Sequence, residues 1–175
     1  NMAAISYFAI PFKNRKAKNY NSLFMKEMKR ITKLLDDIYE GSPWIDVNLT
    51  ATLEKLSAVQ AAKKVATQRN TIWEKVNHLI TWRLNVLQRI QDKTISSPAN
   101  YFSPVRDSSE EAWLNTLDKL EDSQVQWRLV LKKFKKKDLE KTYPTNSMSD
   151  YDHILGIVQQ DAYHRCQIVL LAKVV

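Results

Sequence analysis

Apolar residues recur at every third or fourth position through four long stretches of the chain, the spacing that lines one face of a helix. The first stretch, predicted from about Leu23 to Glu40, carries Met28, Ile31, Leu34, Leu35 and Ile38. The second, from Asn70 to Gln91, carries Ile72, Val76, Leu79, Leu87 and Ile90, and Trp73, Ile80 and Leu84 widen its apolar face. The third opens at a Ser108-x-x-Glu111 capping box and runs to Phe134, with Trp113, Leu117, Leu120, Gln124, Trp127 and Leu131 on one side. The last follows Ser149, a good N-cap residue, and ends near Ala172. Its stripe reads His153, Ile157, Gln160, His164, Ile168 and Leu171, so half of it is polar where a bundle helix normally places apolar side chains.

The connections are as informative as the helices. Gly41-Ser-Pro43 ends the first helix, with Gly suited to the C-cap and Pro unable to continue the ladder. Two short helical pieces, Thr50 to Leu56 and Ser57 to Val65, are each led by a hydroxyl residue and form a crossover. Residues 93–107 hold two prolines and no helical period, a length more common in crossovers and lids than in plain turns. Four long helices with long crossover connections predict an all-α four-helix bundle.

Composition sharpens the picture. Two glycines and five prolines in 175 residues exclude an all-β protein rich in tight turns. The length suits one domain with a substantial core, and no apolar run is long enough for a membrane span. The net charge of +8 is uneven, since residues 1–30 hold seven basic residues against Glu27 alone. We therefore expect a flexible basic leader over 1–25 and the bundle over 26–175. Lys132-Lys-Phe-Lys-Lys-Lys137 closes the third helix, where cations complement the helix dipole, and no aromatic stacking platform accompanies it. Nucleic acid is accordingly not an expected partner. The apolar start lacks the basic region and cleavage pattern of a secretory signal, and the single Cys166 suits a reducing compartment, so the expected location is cytoplasmic.

Candidate chemistry gathers on the second and last helices. Gln160 and His164 are four apart and lie one turn from each other, the spacing of a helical His-x-x-x-His metal clamp with Gln in place of its first His. His78 falls with Trp82 and Asn85 on the edge of the second helix's apolar arc, where a side chain faces a cavity. His153 is too far from His164 along the helix to share an ion with it, and is read as filling the bundle end. Trp82 and Tyr163 are read as packing around the pocket. Asp161 and Glu74 are carboxylates nearby, but solvated helix faces explain both, and no residue is assigned a catalytic role.

Trp73-Glu-x-Val-Asn-His78-Leu-x-x-Trp82 with Gln160-Asp-Ala-Tyr163-His164-Arg-Cys-Gln167-Ile168 resembles the paired signatures of the DinB-like superfamily over roughly residues 26–172. The resemblance implies a DinB-like bundle, a homodimer, and a divalent metal (zinc or nickel) held by His78, Gln160 and His164. It also implies descent from a metal-dependent hydrolase or thiol transferase, and it sets Cys166 at the family's Gly position, which implies a small buried packing role. The departure is Gln160, because an amide oxygen is a much weaker ligand than imidazole. Two alternatives stay open: a pocket in which the two histidines and the glutamine bond each other or water, and a non-enzymatic scaffold for small-molecule binding or dimerisation.

Overall fold

The computed structural model describes residues 12–65, 69–97 and 101–175. Among them are six α-helices and one short 3-10 turn, and no β-strand. Helix α1 spans Phe12–Tyr39, α2 Leu49–Leu53, α3 Ala58–Ala62, α4 Ile72–Arg89, α5 Glu110–Lys133 and α6 Asp150–Ala172. The four long helices build the bundle. Helix α4 packs on both α5 and α6, and α1 closes the bundle against the same two. Helices α1 and α4 are thus diagonal to each other, as are α5 and α6, so the chain needs a crossover at each diagonal step. Residues α2–α3 supply the first and residues 134–149 the second. The all-α bundle with long connections is therefore what the chain forms.

Several boundaries differ from expectation for identifiable reasons. Helix α1 starts at Phe12, not Leu23, so its first part runs through the basic stretch; residues 1–11 of the expected leader lie outside the described residues. Gly41 does not cap α1 through a left-handed conformation, since no glycine here has positive φ. It is needed for room: a Cβ would stand 2.9 Å from Asp37 Oδ1 and 3.0 Å from Asp37 Cα. The open carbonyls of α1 are met by Asn48, whose Nδ2 donates to Glu40 O at 2.9 Å and Gly41 O at 2.8 Å. The same side chain caps α2, its Oδ1 accepting from Ala51 N at 2.8 Å. Helix α3 is capped by Ser57 in a reciprocal box with Gln60. At α5 the cap is Ser109 and not Ser108, because Asp107 Oδ1 takes the Ser109 N–H at 2.9 Å in the place expected of Glu111. Ser149 caps α6 as predicted, with Asp152 completing its box.

Two apolar clusters fill the interior, one around Trp73, Leu79, Trp113 and Ile168, the other around Ile31, Val86, Trp127 and Ile154. Each of the three buried indoles has a partner for its N–H, as burial of a polar tip requires. Trp73 donates to Thr116 Oγ1 at 3.0 Å, Trp113 to Leu56 O at 3.0 Å, and Trp127 to Arg83 O at 3.2 Å. The Trp113 bond fastens the crossover to α5. Arg165 fastens it to α6, donating to Val47 O and, at 2.8 Å, to Ile45 O.

Between the clusters lies a buried ion pair. Arg83 on α4 and Asp161 on α6 are 1% and 0% exposed and meet at 2.7 Å, and the guanidinium also reaches Ser123 Oγ at 3.2 Å. Asp161 is therefore neither solvated, as the helical wheel suggested, nor free to act as a base.

Candidate functional site

Helix α4 begins at Thr71, whose backbone N–H donates to Glu74 Oε2 at 2.8 Å while Thr71 Oγ1 accepts from Glu74 N at 3.1 Å. Glu74 is thus occupied in a capping box, a tighter role than a solvated face. One turn on, His78 points inward and is 5% exposed. Its Nδ1 lies 2.8 Å from the carbonyl oxygen of Tyr101, which can only accept, so Nδ1 carries the ring proton. A neutral imidazole then has its lone pair on Nε2. That lone pair accepts from Gln160 Nε2 at 2.8 Å. Phe102 stacks flat on the His78 ring with centroids 4.1 Å apart, and Tyr101 stacks on Trp82 at 5.2 Å. The long loop predicted at 93–107 thus supplies one wall of the site.

His164 on α6 is fixed in the same sense by a different device. Its Nδ1 is 3.1 Å from Gln167 Oε1, which also accepts from Lys75 Nζ at 3.0 Å. Lysine only donates here, so the amide presents its oxygen and His164 must donate through Nδ1. Both histidines therefore keep Nε2 as the lone-pair nitrogen. Their rings meet edge-on with centroids 4.6 Å apart. The three residues singled out by spacing converge: His78 bonds Gln160 and packs against His164.

The electrostatics keep both rings neutral. Burial pushes the His164 pKa down to about 4, helped by the neighbouring His78 and Lys75 and opposed by the Gln167 bond. Burial also lowers His78, against the Tyr101 carbonyl, and Lys75 adds to the lowering. Neutral imidazole is the form that ligates a metal, yet the Lys75 field that favours it also works against an incoming cation. No three His, Cys, Asp or Glu side chains among the described residues are placed to hold a metal ion, so the third donor of any such site is the Gln160 amide.

Other expectations change. Cys166 is exposed, not buried, because α6 turns that position to solvent between buried Arg165 and half-buried Gln167. Tyr163 is 61% exposed and only flanks the site, its ring 5.0 Å from that of His164, whereas Trp82 does line the pocket. His153 fills the bundle end as expected, 4% exposed, edge-on to Tyr143 and facing Asn146 Nδ2 at 3.2 Å. Pattern reading passed over Lys75, Gln167, Arg83 and the Tyr101–Phe102 pair. A signal for Arg83 was present: it stands in the gap between Leu79 and Leu87 of the apolar stripe, and Asp161 falls in the matching stripe of α6.

Comparison with known proteins agrees with this architecture. Residues 47–168 match the family model of the DinB superfamily. A crystal structure described as the conserved protein of locus from Enterococcus faecalis superposes with a TM-score of 0.57 at 10% identity, over 87% of this chain and 94% of that one. At that identity the likeness speaks for the fold alone. None of the curated proteins matches the chain. No helix among the described residues is long and apolar enough to cross a membrane.

Proposed function

The chain belongs to the DinB superfamily, and on that premise we propose that His78, Gln160 and His164 form a degenerate divalent-metal site, one that takes zinc or nickel far more weakly than three imidazoles would. The observation that carries the proposal is the pair of fixed tautomers. Tyr101 O and Gln167 Oε1 each accept an Nδ1–H, so both Nε2 lone pairs are the nitrogens left for ligation. An outer acceptor on the far nitrogen is the usual support of a metal-bound histidine. Gln160 can join by turning its amide so that the oxygen replaces the nitrogen now facing His78. A divalent ion held there supplies Lewis acidity toward a water or a thiol, the chemistry of a hydrolase or thiol transferase. The chain's own residues orient the rings, keep them unprotonated and, through Phe102 and Trp82, shield them from bulk water. A homodimer in the cytoplasm completes this reading.

A second reading has its own support. The 2.8 Å bond from Gln160 to His78 occupies a lone pair that an ion would need, which suits a bundle that has kept the pocket for a small molecule and given up the ion. Elemental analysis of untagged protein, then calorimetric titration with zinc, nickel and manganese beside Gln160→His, separates the two. Micromolar binding by the wild type, tightened at least about a hundredfold by Gln160→His, supports the degenerate site. Binding by the variant alone supports the second reading. Binding by neither removes the metal site altogether.

A further inference from the structure

A cavity of about 350 Å³ lies between α4 and α6 on the other side of Gln160. Trp82, Val86 and Ile157 make its apolar side, and Arg89, Asn146 and His153 its polar side. Gly156 is also on its wall, and a Cβ added there would meet nothing within 4 Å. Neither packing nor φ requires a glycine at this mid-helix position, where glycine is a poor helix former. Its effect is to leave the cavity wider.

Arg89 is the unusual member. It is 8% exposed, and its Nε has no hydrogen-bond partner among the described residues. Nη2 donates to Ser97 Oγ at 2.9 Å, and the guanidinium sits 5.9 Å from the Trp82 ring and 5.1 Å from the Tyr143 ring. Every Asp and Glu of the chain lies among the described residues, and none of the ion pairs they form involves Arg89. Asp152 lines the cavity but its Oδ2 is taken by Ser149 N at 2.9 Å and Ser149 Oγ at 2.7 Å. Asp150 shares a separate cavity of about 250 Å³ with Arg89 and Lys141 without pairing to Arg89, and burial raises its pKa to about 6. An arginine cannot shed its charge, and a buried charge without a partner is strongly disfavoured. Arg83, buried more deeply still, has Asp161; Arg89 has no acidic counterpart among the described residues.

We propose that this cavity binds a small organic carboxylate, its anionic end on Arg89 and its apolar end against Trp82 and Ile157. The proposal names the ligand class of the pocket that Gln160 borders. It rests on that residue as a wall and needs no metal.

The test is a calorimetric titration of the full chain in EDTA with benzoate, phenylacetate and hexanoate, with benzamide as the uncharged control. The expected result is a carboxylate Kd below about 1 mM with benzamide at least about tenfold weaker. Arg89→Gln is expected to abolish that preference. Gly156→Leu is expected to block both kinds of probe, and Gly156→Ala, which favours the helix, to weaken them while the fold stays intact by circular dichroism. Equal affinity for benzoate and benzamide, carboxylate binding untouched by Arg89→Gln, or no binding by any of the three acids overturns the proposal. Because EDTA is present, failure of the metal titrations leaves this result unaffected, and failure here leaves them standing.

Discussion

His164 and Asp150 give the bundle two opposed responses to acid. The His164 pKa is about 4 in the fold against an ordinary 6.5, so the folded chain resists the proton that an unfolded one accepts. Its contribution is present above 6.5 and is lost as pH falls toward 4. At 1.36 kcal/mol per pH unit the loss reaches about 3 kcal/mol. Asp150 runs the other way: burial raises it from 3.8 to about 6, so the fold favours its protonated form. The penalty it carries at neutral pH is relieved as pH falls from 6 toward 3.8, returning about 2–3 kcal/mol by the same conversion. The two nearly cancel between pH 7 and pH 4. Urea unfolding followed by tryptophan fluorescence, in EDTA, should therefore show Asp150→Asn losing about 2–3 kcal/mol more than wild type over that interval. His164→Gln should lose about 3 kcal/mol less than wild type. Parallel pH profiles for wild type and His164→Gln would refute the assignment of a neutral, buried His164.

Two further outcomes concern packing. Asp161→Asn leaves Arg83 buried without its partner and should cost about 3–5 kcal/mol, while the double change Arg83→Met with Asp161→Leu should recover most of that; thermal melts that leave the single variant within 1 kcal/mol of wild type would contradict the reading. The two glycines should respond with opposite sign: Gly156→Ala should gain about 0.5–1 kcal/mol, whereas Gly41→Ala should destabilise, because its Cβ would collide with Asp37.

The bundle was legible because its signals are local. Periodic apolar residues, Ser149 as a cap, and the spacing of Gln160 and His164 are all encoded within a few turns of helix. His78 was legible as a site residue from its place on the edge of the apolar arc. What periodicity could not supply was any pairing between distant segments; only the family resemblance joined His78 to Gln160 and His164. The Tyr101 carbonyl that sets the His78 tautomer comes from a stretch without periodicity. Lys75 and Gln167 are separated by most of α4, all of α5 and most of α6, and only packing brings them together. Helix α1 began early because the basic residues from Lys13 onward are good helix formers, and a charge count says nothing of that. Cys166 is exposed although the family carries a small residue there, because residue size says nothing of the direction in which the helix turns the position.

The Arg83–Asp161 pair has a consequence for inheritance. With both charges held in the interior, α4 and α6 cannot slide past each other by a turn, so whatever residue stands at position 160 arrives at the same place beside His78. Glutamine and histidine codons differ only in their last base. A single point mutation therefore separates this pocket from one with three imidazoles, on a backbone already in register to receive it. In such a lineage the third imidazole can be given up and taken back without the bundle ever having to be rebuilt.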